Sequence, residues 1–101
     1  MTTQLNDFSL DFFSLTGKVA IVTGGNTGLG QGYAVALAKA GADLFIVTHG
    51  NNWDETKGLI EQEGRRAEFF QADLSNRDII KDVAAACVSA YGRIDILVNN
   101  A

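Results

Sequence analysis

The sequence predicts an α/β fold in which one parallel sheet is flanked by helices on both faces. Three observations carry that prediction: apolar runs that lack strict alternation, helical stretches placed between them, and a glycine-rich turn directly after the first run. Near-continuous apolar strands suit a parallel sheet buried on both sides, and right-handed crossovers place the connecting helices on its faces. Four strands linked by three helices imply the N-terminal half of a doubly wound sheet, with the expected order 3-2-1-4.

Taken in order, Val19-Ala20-Ile21-Val22 reads as the first strand, Thr23 to Gly32 as its turn, and Tyr33 to Ala40 as a helix stopped by Gly41. Asp43 to Thr48 reads as the second strand, followed by the polar loop His49-Gly50-Asn51-Asn52. Trp53 to Glu63 suits a short helix ended by Gly64, and Ala67 to Ala72 suits a third strand. Ser75 and Asp78 have the spacing of a capping box. The helix they would start places Ile80, Val83, Ala84, Cys87, Val88 and Tyr91 on one face, and Gly92 ends it. Ile94 to Val98 is the fourth strand. Residues 1–16 stand outside this alternation. Their Phe8, Leu10, Phe12, Phe13 and Leu15, set among Asp7, Asp11 and Ser14, suggest a lead-in segment packed over the sheet, with a subunit contact as the alternative; residues 17–101 form the sheet-bearing unit.

Composition narrows the function classes. Acidic residues number 12 against 8 basic, and Arg65-Arg66 is the one basic pair, so nucleic acid and anionic membranes are not expected partners. Cys87 is the single cysteine, which rules out an internal disulfide; a small buried apolar role and a reducing, cytoplasmic setting fit it best. No basic leader with a long apolar run opens the chain, no apolar stretch approaches membrane-spanning length, and no metal site is expected. The sequence closes with a strand entering the turn Asn99-Asn100-Ala101, which suggests a piece of a longer chain.

The glycine turn carries the first chemical signal. Gly24 allows a sharp exit from the strand, Gly28 allows backbone to approach a pyrophosphate, and Gly30 allows close packing of the helix. Unpaired N–H groups at the helix start stabilise an anion without a cationic side chain, and no Lys or Arg lies between Lys18 and Lys39. In a doubly wound sheet, ligands bind beyond the carboxyl ends of the strands. His49, Asp73 and Asn99-Asn100 follow the other three strands at that same edge. Four segments thus converge on a dinucleotide site.

Thr23-Gly24-x-x-x-Gly28-x-Gly30, Asp73-Leu74 and Asn99-Asn100-Ala101, in that order and spacing, resemble the signatures of the short-chain dehydrogenase/reductase family. The resemblance runs from about Phe8 to Ala101. It implies a Rossmann half holding a nicotinamide dinucleotide. Matched by position, Gly24, Asn26, Thr27, Gly28 and Leu29 would hold the pyrophosphate and adenosine ribose, and Asp73 and Leu74 would contact the adenine. Asn100 and Ala101 would lie toward the nicotinamide-side ribose, while Asn99 would brace the sheet. The family's catalytic Tyr-x-x-x-Lys is absent, since Tyr33 is followed four residues on by Leu37 and Tyr91 by Asp95; no catalytic residue is expected in this segment.

Local similarity around Phe13 to Val19 and Thr27 to Gly32 points to the sugar-acid branch of the family. A sugar-acid substrate and a homotetramer formed through regions beyond this sequence are therefore expected. Reduction of an acyl-carrier-bound ketone and non-catalytic dinucleotide sensing are the alternatives. Where NAD sites usually place Asp or Glu and NADP sites supply Arg, this chain has Thr48 and His49; NAD is expected over NADP because no Lys or Arg occurs from Ala40 through Thr56. His49 would shape the adenosine pocket. Ser75 is expected to fill the helix cap, which would leave Asp73 for the adenine.

Overall fold

A computed structural model of the chain describes residues 14–100. The lead-in residues 1–13 and Ala101 lie outside the described residues. The elements are β1 (Val19–Thr23), α1 (Gly28–Lys39), β2 (Asp43–Thr48), α2 (Asp54–Gln62), β3 (Ala67–Gln71), α3 (Ile79–Tyr91) and β4 (Ile96–Asn99). All strand pairs are parallel and the order is β3-β2-β1-β4, as the sequence predicts. Every residue of β1 is buried, which fits its central place and its apolar composition.

The pleat sorts the strand side chains into two cores. Ala20, Val22, Leu44 and Ile46 face Ala34 and Ala38 of α1 and Ile60 of α2. Small residues on α1 let that helix lie close to the sheet, and the larger Leu44, Ile46 and Ile60 are fully buried, each worth about 1.5–3 kcal/mol against exposure. Val19, Ile21, Phe45 and Val47 face the other way, toward Val83 and Cys87 of α3. The first two helices therefore cover one face and the third covers the other, so the winding reverses between β1 and β4. Ligands bind at such a reversal.

Two sequence expectations change. The first helix begins at Gly28, one turn and more before Tyr33, and so takes in three glycines of low helix propensity, of which Gly30 is packed tightly against the preceding turn while Gly28 and Gly32 have open space on their Cβ side. The third helix begins at Ile79, and the Ser75–Asp78 capping box does not form. Asp73 takes that role differently: its Oδ1 accepts from the Ser75 N–H at 3.0 Å and from the Ser75 hydroxyl at 2.7 Å, a side-chain turn that competes with a cap. Of the predicted apolar face of this helix, Val83 and Cys87 are buried, whereas Ile80 is 62% and Val88 48% exposed. Periodicity correctly marks the face, but α3 covers only part of the sheet, and Ile80 overhangs the uncovered part beside the likewise exposed Leu97 of β4.

Candidate functional site

The carboxyl edge of the sheet holds the turns that follow β1, β2, β3 and β4. A cavity of about 690 Å³ opens there on the α3 side, lined at its polar rim by Thr23, Gly24, His49, Asp73, Ser75 and Asn99 and along its floor by Ile21, Val47, Leu74, Ile80 and Leu97. An apolar slot with a few polar groups at one end suits a flat ring attached to a polar chain.

The turn after β1 is built by glycine geometry. Gly24 has φ +65° and Gly28 φ +54°, both in the left-handed region, and an added Cβ at Gly28 would meet nothing within 4 Å. Gly28 thus presents bare backbone to open space. At Gly30 an added Cβ would come within 1.9 Å of the Gly24 carbonyl oxygen and 2.7 Å of Asn100 Nδ2. The close approach at Gly30 is therefore to the turn itself and to the end of β4, which corrects the expectation of a helix-to-sheet contact. Thr27, the residue before α1, makes no side-chain capping bond, and no acidic residue occupies the first turn. The amides and the positive end of the helix dipole consequently face the turn without a competing carboxylate. Leu29 is 72% exposed on the first turn of the helix.

The neighbouring ends are tied to this turn. The Gly24 N–H donates to the Val47 carbonyl at 2.8 Å, and the Ala72 N–H donates to the Thr48 carbonyl at 2.8 Å. Thr23 links β1 to β4: its hydroxyl donates to Asn99 Oδ1 at 3.2 Å and accepts from the Asn100 N–H at 2.8 Å. Asn26 is turned away from the cavity rim, its Nδ2 donating to the Asn52 carbonyl at 3.2 Å. His49 is exposed, and its carbonyl accepts from Gln71 Nε2 at 3.2 Å. The Thr48 hydroxyl is spent on the Gly50 carbonyl.

The electrostatics follow from these contacts. The Ser75 hydroxyl, then the Ser75 N–H, hold the Asp73 carboxyl below the usual carboxylate range, with a smaller contribution from His49. Asp73 is therefore an anionic acceptor at neutral pH, already engaged in its own turn, and the expectation that Ser75 caps the helix and frees Asp73 is overturned. Burial pushes the Cys87 thiol up, which suits its packing place on the buried face of α3 and not a nucleophile.

The structure thus brings Gly24, Gly28, Leu29, His49, Asp73, Leu74 and Asn100 to one edge, with Asn26 and Thr27 completing the turn, while Ala101 lies outside the described residues. Sequence reasoning missed three residues. At Gly25 an added Cβ would lie 2.8 Å from Ile46 Cγ2, so this glycine seats the turn on β2. Gln31 and Thr56 are joined by a hydrogen bond of 2.9 Å. The available signal for Thr56 was its place four residues before Ile60 on the buried stripe of α2.

The sequence profile of the short chain dehydrogenases matches residues 18–101. The chain belongs to that family. It is 53% identical over 98 residues to the uncharacterised oxidoreductase YgcW of Escherichia coli K12, a match that covers 97% of this chain and 38% of that protein. It is also 53% identical over 91 residues to 2-dehydro-3-deoxy-D-gluconate 5-dehydrogenase of Bacillus subtilis 168, covering 90% of this chain and 35% of the relative. Among solved structures, 3-oxoacyl-[acyl-carrier protein] reductase from Brucella melitensis in complex with NAD superposes with a TM-score of 0.78 at 38% identity, covering 83% of this chain and 33% of that one. The chain thus spans a little over a third of the length of the curated relatives it matches. Among the described residues, no helix is long and apolar enough to cross a membrane.

Proposed function

We propose that this chain is the dinucleotide-binding part of an NAD-dependent dehydrogenase that interconverts a secondary alcohol and a ketone on a sugar acid of the deoxygluconate type. The observation that carries it is the turn after β1, where Gly28 offers bare backbone to open space and Gly30 admits no side chain, beside a cavity reaching all four strand ends. The residues present fit a dinucleotide. Amides of the turn and of the first turn of α1 would bind the pyrophosphate, His49 would border the adenosine ribose, and Leu74 with the Asp73 turn would border the adenine. Asn100, with Ala101 after it, would lie toward the nicotinamide side. Thr23 would act indirectly, holding β4 in register so that the Asn99-Asn100 turn keeps its place. When bound, the nicotinamide ring supplies a hydride acceptor or donor.

The proton that accompanies the hydride needs a general acid/base, and the family's Tyr-x-x-x-Lys does not occur in these residues. This segment binds and orients; the proton transfer belongs to residues outside it. Assembly as a homotetramer and a cytoplasmic location complete the proposal. The sugar-acid substrate is supported by the deoxygluconate dehydrogenase relative. The likeness to a 3-oxoacyl carrier-protein reductase supports a second reading, in which the ketone sits on an acyl chain.

NAD is preferred because the end of β2 offers a 2′-phosphate only His49, and residues 40–56 supply no Lys or Arg, while Asp54 and Glu55 open the next helix. Titration of the protein with NADH and NADPH tests this. NADH should bind about tenfold more tightly or better, the scale of an unpaired dianion at a site without a cation; tighter NADPH binding would overturn it. Turnover of 2-deoxy-gluconate-type acids against 3-oxoacyl thioesters separates the two substrates.

A further inference from the structure

We propose that Thr56 is a positioning residue, whose hydroxyl locks the glycine turn after β1 to the start of α2, directly behind the loop after β2, and so fixes the spacing between the phosphate-holding and ribose-holding ends of the site. The inference rests on the dinucleotide reading above. It starts from a buried polar group. Thr56 and Ile60 are the two buried residues of α2, and Thr56 is 0% exposed. Four residues apart, they form one stripe, where Val or Ala would pack without a hydroxyl to satisfy.

The hydroxyl is satisfied by two partners from elsewhere in the chain. It donates to the Asn26 carbonyl at 3.2 Å and accepts from Gln31 Nε2 of α1 at 2.9 Å. Asn26 closes a ring, since its own Nδ2 donates to the Asn52 carbonyl, two residues before α2 starts. The main chain and the side chain of Asn26 are thus both held by the segment 52–56. Between them Trp53 stacks on Phe69 of β3 with ring centroids 5.2 Å apart, which fixes where that segment leaves the sheet.

The turn needs such an anchor. Its start is fixed to β2 by the Gly24 N–H, but Gly24, Gly25 and Gly28 contribute no side chains to hold the rest, and Gly28 has open space on its Cβ side. A ligand that spans the turn and the His49 loop binds best when both ends are already at the right separation, because ordering them on binding subtracts from affinity. Thr56 supplies that separation without touching the ligand.

The experiment compares wild type with Thr56→Val, which keeps the shape and loses the hydroxyl, and Thr56→Ser, which keeps the hydroxyl. NADH affinity and amide hydrogen exchange are the readouts. Thr56→Val should raise the Kd for NADH about tenfold, the scale of lost preorganising hydrogen bonds, with Thr56→Ser within about threefold of wild type. Exchange should accelerate together in residues 24–28 and 50–53 of Thr56→Val. Wild-type affinity in Thr56→Val, equal losses in both variants, or faster exchange confined to α2 would each overturn the proposal. Should wild type itself fail to bind NADH, the dinucleotide reading fails, and the exchange pattern alone decides whether Thr56 couples the two segments.

Discussion

The two edges of the sheet use similar side-chain ties to different ends. At the amino edge, side chains tie backbone groups far apart in the sequence: Asp95 Oδ2 accepts from the Val19 N–H at 2.8 Å, Asp43 Oδ1 accepts from the Arg66 N–H at 2.9 Å, and the Tyr91 hydroxyl donates to the Leu44 carbonyl at 2.7 Å. Arg66 lies over the Tyr91 ring, 4.8 Å from its centroid, and burial pushes the Tyr91 hydroxyl far above its ordinary pKa, so it stays a donor. At the carboxyl edge, ties from Thr23, Asn26 and Thr56 hold the strand ends apart around bare glycine backbone and a cavity. One edge is finished for stability. The other is shaped to receive something.

That contrast is broken most severely by Gly30→Ala. The new Cβ would meet the Gly24 carbonyl at 1.9 Å, so backbone must move, at a cost of about 1–3 kcal/mol that falls on the ligand-holding turn. NADH affinity, measured by fluorescence titration, should drop about a hundredfold. Retained affinity would mean that the turn is not the pyrophosphate seat.

Tyr91→Phe acts at the opposite edge. It removes a hydroxyl that donates to buried carbonyl oxygen, and chemical denaturation should show a loss of about 1–3 kcal/mol. NADH affinity should stay within about twofold, because distant sites act additively. Loss of both stability and affinity would erase the division between the edges.

The smallest effect concerns two aspartates held below the usual carboxylate range. Arg93 and the Val19 N–H lower Asp95, while Ser75 lowers Asp73. For each, the folded pKa lies below that of the unfolded chain, so its contribution is complete above about pH 4 and is lost as pH falls through the lowered folded value. Thermal melts across pH 2–6 should show stability declining at the acid end, with a shallower decline in Asp95→Asn. Asp73→Asn keeps an oxygen acceptor for its turn and should leave the melt close to wild type at neutral pH while weakening NADH binding. The reverse pattern would place the site at the wrong edge.

Much of this was legible in the residues. β2 was bounded correctly at Asp43 and Thr48 because the polar loop from His49 cuts off an apolar run. The strand order is the one expected of the doubly wound half-sheet inferred from alternation and crossover handedness. The start of α1 was hidden because Gly28, Gly30 and Gly32 have poor helix propensity, and the contact that seats Gly30 on the turn exists only in the fold. Ser75 and Asp78 had the right spacing for a capping box, but Asp73, two residues earlier, competes for the same Ser75 groups. Exposure of Ile80 and Leu97 could not be read, since periodicity identifies an apolar face without saying what covers it. Thr56 was hidden for a different reason: its partners Asn26 and Gln31 are 30 and 25 residues away.

The most direct test of the division between the edges is an amide chemical-shift map of the protein on addition of NADH. Shifts should concentrate at residues 24–30, 48–50, 72–75 and 99–100, with the amino-edge residues 17–19, 41–44, 64–66 and 92–95 unmoved. Shifts centred on the amino edge, or none at the glycine turn under saturating NADH, would contradict it.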